Sequence, residues 1–145
     1  MKKITFLFIS VIFALFMFSG CDAEVKAADG VYRVEMAEFD QNDYKDYVEF
    51  VVEGGRVVSL QANAYHLDDR LKTEDNDMRK AMEPIAGTYP EKFYRDLVNQ
   101  YIGSGGGNTD VIAGATFSSD NFFRLMQAAK DTSYDDPSVV VVYFP

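Results

Sequence analysis

Two periodicities divide this chain. From Val31 to Phe39 apolar and polar positions partly alternate, with Tyr32, Val34 and Met36 set against Val31, Arg33 and Glu35, and this pattern predicts a first strand. Asp40 to Asp43 is a polar turn. Tyr47–Val52 and Arg56–Ala62 are two β-rich runs separated by Glu53, Gly54 and Gly55. Glycine takes the positive φ that a tight hairpin needs, so the two runs are predicted to pair antiparallel. Leu67–Asp77 is charged and reads as a loop leading into a short helix over Asp77–Glu83, stopped by Pro84. Gly87-Thr88-Tyr89-Pro90 then opens a longer helix, with Thr88 as its cap and Pro90 in its first turn. Phe93, Leu97 and Tyr101, with Tyr94 and Val98, give stripes at i, i+4 spacing, and Gly103 is the natural stop. After the glycine-rich stretch Ser104–Asn108, a second amphipathic helix is predicted over Asp120–Lys130, built on Phe122, Phe123, Met126 and Ala129. A turn at Asp135-Asp136-Pro137 leads to Ser138–Phe144, whose valines predict a buried final strand. Strands, then helices, then one strand make a single small α+β domain: a mainly antiparallel sheet with helices packed on one side.

The start of the chain follows neither periodicity. Lys2 and Lys3 precede an uncharged apolar run, Ile4–Phe18, which ends at Ser19-Gly20-Cys21. That is the layout of a secretory signal, and the run is short for a membrane-spanning helix, which needs roughly 20 apolar residues. Its end resembles a bacterial lipobox, in which the cysteine is lipidated and becomes the mature N-terminus, with Phe18 at a position that is usually aliphatic. The chain holds one cysteine, and it is this one. The expected organisation is therefore a lipoprotein signal peptide over 1–21, lipidation at Cys21, a tether over 22–28 and a domain over 29–145. The 124 of the 145 residues that follow Cys21 are enough for one core held by packing without a disulfide.

The chain carries 14 Lys and Arg against 23 Asp and Glu, a net charge of −9. Loss of Lys2 and Lys3 with the signal removes no acid and leaves −11. An acidic surface argues against nucleic acid and against anionic lipid headgroups as direct ligands. His66 stands alone and supports no His-based catalytic set. Asp68-Asp69 and Glu74–Asp77 lack the glycine and distal glutamate of an EF-hand loop, and they read as a solvated charged face. Gly103-Ser104-Gly105-Gly106-Gly107 lacks the Lys-Ser/Thr of a phosphate loop and reads as a flexible connector.

Asp110–Phe122, DVIAGATFSSDNF, differs from these. Ser118 or Ser119 is positioned to cap the following helix, with Gly114 as a hinge. Helix capping does not explain the small residues Ala113, Gly114 and Ala115 ahead of Thr116. Small residues let another molecule approach the backbone, and a helix N-terminus favours a phosphate. These residues predict an anion site near Thr116.

The segment Asp110-Val-Ile-Ala-Gly-Ala-Thr116 resembles the flavinylation motif of the FMN-binding domain family. That family comprises covalently flavinylated domains of membrane redox complexes and of lipoproteins in extracellular electron transfer. In it an aspartate precedes Ser/Thr-Gly-Ala-Thr by two residues, and a flavin transferase attaches FMN from FAD through a phosphodiester to the final threonine. The resemblance makes Asp110 the motif aspartate, Gly114 and Ala115 its small pair and Thr116 the attachment residue. Ser118 and Ser119 match a following Ser/Thr pair, and Ala113 stands where Ser or Thr is usual. Asp29-Gly30-Val31-Tyr32, the Tyr47–Val58 hairpin and Gly87–Pro90 with Phe93 and Tyr94 are also similar to family members.

The resemblance implies a lipid-anchored electron carrier on the outer face of the cell membrane, with covalent FMN on Thr116 and no catalytic residue or metal of its own. Its partners would be the flavin transferase, a membrane reductase as donor, an extracellular or surface acceptor, and the bilayer through Cys21. Phe117, Tyr32, Tyr65 and Tyr89 are candidates for the wall around the flavin ring. The alternative is a binding or structural lipoprotein of the same fold that lacks covalent flavin or holds FMN noncovalently.

Overall fold

A computed structural model describes residues 27–107, 109–131, 136 and 140–143. The signal segment, Cys21 and residues 22–26 of the tether lie outside them, as do Asn108, Asp135, Pro137, Ser138, Val139 and Phe144.

Strand β1 (Gly30–Met36) pairs antiparallel with β2 (Tyr44–Glu53), which pairs antiparallel with β3 (Arg56–His66). The hairpin turns on Gly54 and Gly55, with φ of 58° and 76°, values that strain any residue with a side chain. Asp29 accepts the Gly54 N–H at 2.8 Å and ties the turn to the start of β1. Both hairpin strands extend beyond their sequence-predicted ends, β2 backward to Tyr44 and β3 forward to His66. The last strand, β4 (Val140–Tyr143), lies parallel to β1, giving the sheet order β3-β2-β1-β4. It is an edge strand with Val142 exposed, not the buried strand its valines predicted. The α+β class, with a mostly antiparallel sheet, is as predicted.

Alternation decides which face of the sheet is covered. Tyr32, Val34 and Met36 on β1, and Tyr44, Asp46, Val48, Phe50 and Val52 on β2, are buried, while their alternating neighbours are half-buried or, at Val31 and Glu53, exposed. Tyr32 stacks on Phe50 across the pair, with ring centroids 5.6 Å apart. Helices α2 (Pro90–Gly103) and α3 (Thr116–Asp131) bring Phe93, Tyr94, Leu97, Tyr101, Phe122, Leu125, Met126 and Ala129 into the same core. On the other face, Arg33 lies over the rings of Tyr47 and Tyr65, and Lys45 over Phe39.

Helix boundaries depart from the sequence reading at three points. Helix α1 (Asn76–Ala86) continues through Pro84 and ends at Gly87, whose φ is 64°. Proline removes one N–H near the last turn, and the Gly87 N–H closes that turn on Glu83 O at 3.0 Å. Thr88 does not cap α2; Tyr89 holds the cap position without a side-chain bond, and Pro90 is first in the helix as expected. Helix α2 ends at Gly103 as expected, and left-handed residues follow at Gly105 and Gly106. Helix α3 begins at Thr116, four residues before its sequence-predicted start, so Ser118 and Ser119 lie inside its first turn and are not caps.

Two segments read as solvated or flexible make defined contacts. Asp75, in the acidic run, caps α1 by accepting the N–H groups of Asp77 and Met78, and it also accepts the Tyr44 hydroxyl at 2.6 Å. In the glycine loop, the Gly106 N–H bonds Tyr101 O at 2.9 Å, and Lys130 donates to Gly106 O.

Leu125 is fully buried between α3 and the sheet. Leu125→Ala is expected to cost about 2–5 kcal/mol, read as a lower midpoint in urea unfolding. An unchanged midpoint would contradict this packing.

Candidate functional site

The loop before α3 is held by its own backbone. The Ala115 N–H donates to Ile112 O, and the Ser119 N–H to Ala115 O, each at 2.9 Å. The Ser119 hydroxyl accepts the Ile112 N–H at 3.0 Å and donates to Ala115 O at 2.8 Å. Ser119 thus closes the loop from within the first turn of the helix. Gly114 has φ of 82°, and a Cβ there would stand 2.5 Å from the Ala86 Cβ. Both the backbone angle and the close approach to α1 require glycine at this position. Ala115 is buried, whereas Thr116 is exposed at the first position of α3.

Thr116 lines a cleft of about 450 Å³ with Gly114, Ala115, Phe117 and Ser118 from this loop and helix. Met78 and Met82 of α1 and Phe93 of α2 supply apolar wall, and Asp40 and Lys72 supply charge. A cleft of roughly 300–1,000 Å³ with mixed lining is the size that takes a small molecule. A second cleft, of about 350 Å³, shares Asp40 and Phe117 and is lined also by Tyr44, Asp46 and Asn121.

Charged groups lie buried beneath these clefts. Lys72, in the short helical turn Lys72–Glu74, is 6% exposed. Its Nζ is 3.3 Å from Ser118 Oγ and 4.0 Å from Asp40 Oδ2. Asp40 Oδ1 accepts the N–H groups of Asn42 and Tyr44 at 2.8 and 2.9 Å, which shapes the turn between β1 and β2. Asp46 is 2% exposed and accepts the Tyr94 hydroxyl of α2 and, at 2.9 Å, the Asn121 amide of α3. Burial pushes the Asp46 carboxyl above its usual range, against the pull of Lys72 and of its two hydrogen bonds. Burial and the neighbouring Asp46 push the Tyr94 phenol up as well.

The sequence-predicted site residues separate into two groups. Gly114, Ala115, Thr116, Phe117 and Ser118 share the cleft. Asp110 and Ala113 are exposed and are not among its lining residues, and the Asp110 N–H donates to Gln100 Oε1 at 2.8 Å. Ser119 is buried in the loop staple. Among the aromatic candidates only Phe117 lines the cleft. Tyr32 is core, Tyr65 lies against Glu35 and Arg33 on the other sheet face, and Tyr89 stands beside Arg79. The apolar wall is built instead from Met78, Met82 and Phe93.

The chain has counterparts in sequence and in fold. The chain is 36% identical over 101 residues to the 15 kDa lipoprotein of Treponema pallidum (strain Nichols), a match spanning 69% of this chain and 72% of that protein. The chain belongs to the family of that lipoprotein. The crystal structure of the CPE2226 protein from Clostridium perfringens superposes with a TM-score of 0.72 at 27% identity, covering 82% of this chain and 97% of that one. No protein-family model matches the chain.

In this member of the lipoprotein family, sequence reading missed Asp40, Asp46, Lys72, Met78, Met82 and Phe93 as site residues. Asp46 carried a signal, because it falls in phase with the buried Tyr44, Val48 and Phe50. A strand begun at Tyr47 hides it. Lys72 carried none, since a lysine in a charged stretch normally stays in water.

Two outcomes follow from the geometry. As pH rises from the usual aspartate value of 3.8, the unfolded chain releases the Asp46 proton before the folded chain does. Asp46 therefore lowers stability progressively as pH rises through its raised folded value. Measured by urea unfolding, the stability of the wild type relative to Asp46→Asn is expected to fall over that window; a constant difference would contradict the assignment. Gly114→Ala is expected to lower the melting temperature by several degrees, because the added methyl meets Ala86. An unchanged melting temperature would show that the loop does not press on α1.

Proposed function

We propose that this chain is an exported, lipid-anchored electron carrier with FMN joined by a phosphodiester to Thr116. The observation that carries the reading is the placement of Thr116: an exposed residue at the first position of a 16-residue helix, on the wall of a 450 Å³ cleft, behind a loop in which Gly114 leaves no room for a side chain. Resemblance of Asp110–Thr116 to the flavinylation motif supplies the chemistry. Membership in a lipoprotein family supports Cys21 as the lipidated residue and the outer face of the membrane as the location.

The residues present fit such a group. Thr116 is exposed, so a flavin transferase can reach it. Its hydroxyl would lose a proton and form the bond to the FMN phosphorus as AMP leaves from FAD. The start of α3 lies at the same place, and the positive end of a helix favours the phosphodiester charge. Met78, Met82 and Phe93 offer an apolar wall on which a flat ring can rest, with polarizable sulfur at two of the three contacts. When bound, flavin supplies one- and two-electron transfer. The chain positions it and anchors it against loss outside the cell. A membrane reductase as donor and a surface acceptor complete the role.

Thr116→Val removes the hydroxyl and keeps the side-chain shape. After co-expression with a flavin transferase in an exporting host, the wild type is expected to fluoresce as a flavoprotein band on a denaturing gel. The variant is expected to stay dark while folding normally by circular dichroism. A fluorescent Thr116→Val band would contradict the assignment of the site.

A further inference from the structure

The Lys72 ammonium is buried, lines the Thr116 cleft, and has spare donor capacity. An ammonium carries three N–H donors. Among the described residues, its closest polar neighbours are Ser118 Oγ at 3.3 Å and Asp40 Oδ2 at 4.0 Å, with the Tyr44 ring centroid 5.2 Å away, and its charge also acts on Asp46. The carboxylates nearby are already engaged. Asp40 holds the β1–β2 turn through Oδ1, and Asp46 is held by Tyr94 and Asn121. A buried charge with so few close partners is costly unless another acceptor arrives from the cleft.

Ser118, the one hydrogen-bond partner of Lys72 in the cleft, stands two residues after Thr116 in the first turn of α3, and both line the cleft. An acceptor with negative charge suits that position best. A charge-assisted N–H···O bond is roughly twice as strong as a neutral one. Without the ammonium, the Asp40 side chain would leave this part of the cleft opposed to an anion.

We propose that Lys72 reads the phosphate of the ligand, so that the cleft selects a phosphorylated flavin over the same flavin without its phosphate. The inference rests on the flavin reading above for the identity of the ring, but not on covalent attachment. It gives the chain a specificity residue outside the Asp110–Thr116 motif, contributed by a segment 44 positions before Thr116.

The test uses the full chain in detergent, made in a host without a flavin transferase and confirmed unmodified by mass. FMN and riboflavin are each titrated while flavin fluorescence is followed. The wild type is expected to bind FMN at least about tenfold more tightly than riboflavin, and inorganic phosphate is expected to weaken FMN binding alone. Lys72→Met is expected to bind the two flavins equally, and Lys72→Arg to keep the preference. Equal binding by the wild type, or a preference that survives in folded Lys72→Met, would overturn the inference. If Lys72→Met does not fold, the phosphate competition in the wild type decides, and its absence also overturns the inference. Binding of neither flavin overturns it together with the flavin reading. An FMN preference in a chain that a transferase leaves unmodified supports Lys72 and removes only the covalent bond. A flavinylated chain with no preference does the reverse.

Discussion

The architecture depends on one buried carboxylate. Asp46 projects from β2 into the core, where Tyr94 of α2 and Asn121 of α3 both donate to it. One side chain thus sets where two helices sit on the sheet. Removing either donor would leave a buried acceptor unsatisfied, a cost of about 1–3 kcal/mol. Because Asn121 lies in the second turn of α3, the same contact fixes the height and rotation of the helix start. Ser118 and Thr116 then meet Lys72, Asp40, Met78, Met82 and Phe93 around a single cleft.

A second constraint acts from the opposite side. Gly114 brings the loop against Ala86, where α1 ends and Gly87 turns the chain toward α2. Ser119 holds the loop closed with two hydrogen bonds. A small-residue loop clamped this way offers a hydroxyl on rigid backbone with little side-chain bulk around it. The Thr88 hydroxyl, buried beside this contact, has no hydrogen-bond partner among the described residues. Tight packing at Gly114 is therefore achieved with a polar group left unsatisfied.

Much of this was legible in the sequence, and the failures share a cause. Alternation and the Glu53-Gly54-Gly55 turn revealed the hairpin, because strand period and glycine conformation are local properties. The i, i+4 stripe of Phe93, Leu97 and Tyr101 likewise marked the buried face of α2. Thr116, singled out by its small neighbours, lines the cleft. The misreadings arose where tertiary contacts override local preference. Ser118 and Ser119 have the chemistry of helix caps, but their hydroxyls are used by Lys72 and by the loop. Tyr32, Tyr65 and Tyr89 have the chemistry of a ring wall, but packing takes them into the core or onto other surfaces, and two methionines and Phe93 line the cleft. Lys72 acquires its character only on burial, which no short stretch of sequence encodes, whereas Asp46 is in phase with the buried face and is hidden only by starting the strand at Tyr47.

The central claim is a covalent bond at Thr116, and intact mass tests it most directly. The full chain is co-expressed with a flavin transferase in an exporting host, denatured, and weighed beside a control protein flavinylated in the same cells. The account predicts a gain of one FMN less one water, mapping to the peptide that holds Thr116. An unmodified chain beside a modified control, or a flavin mapped to another residue, would contradict it.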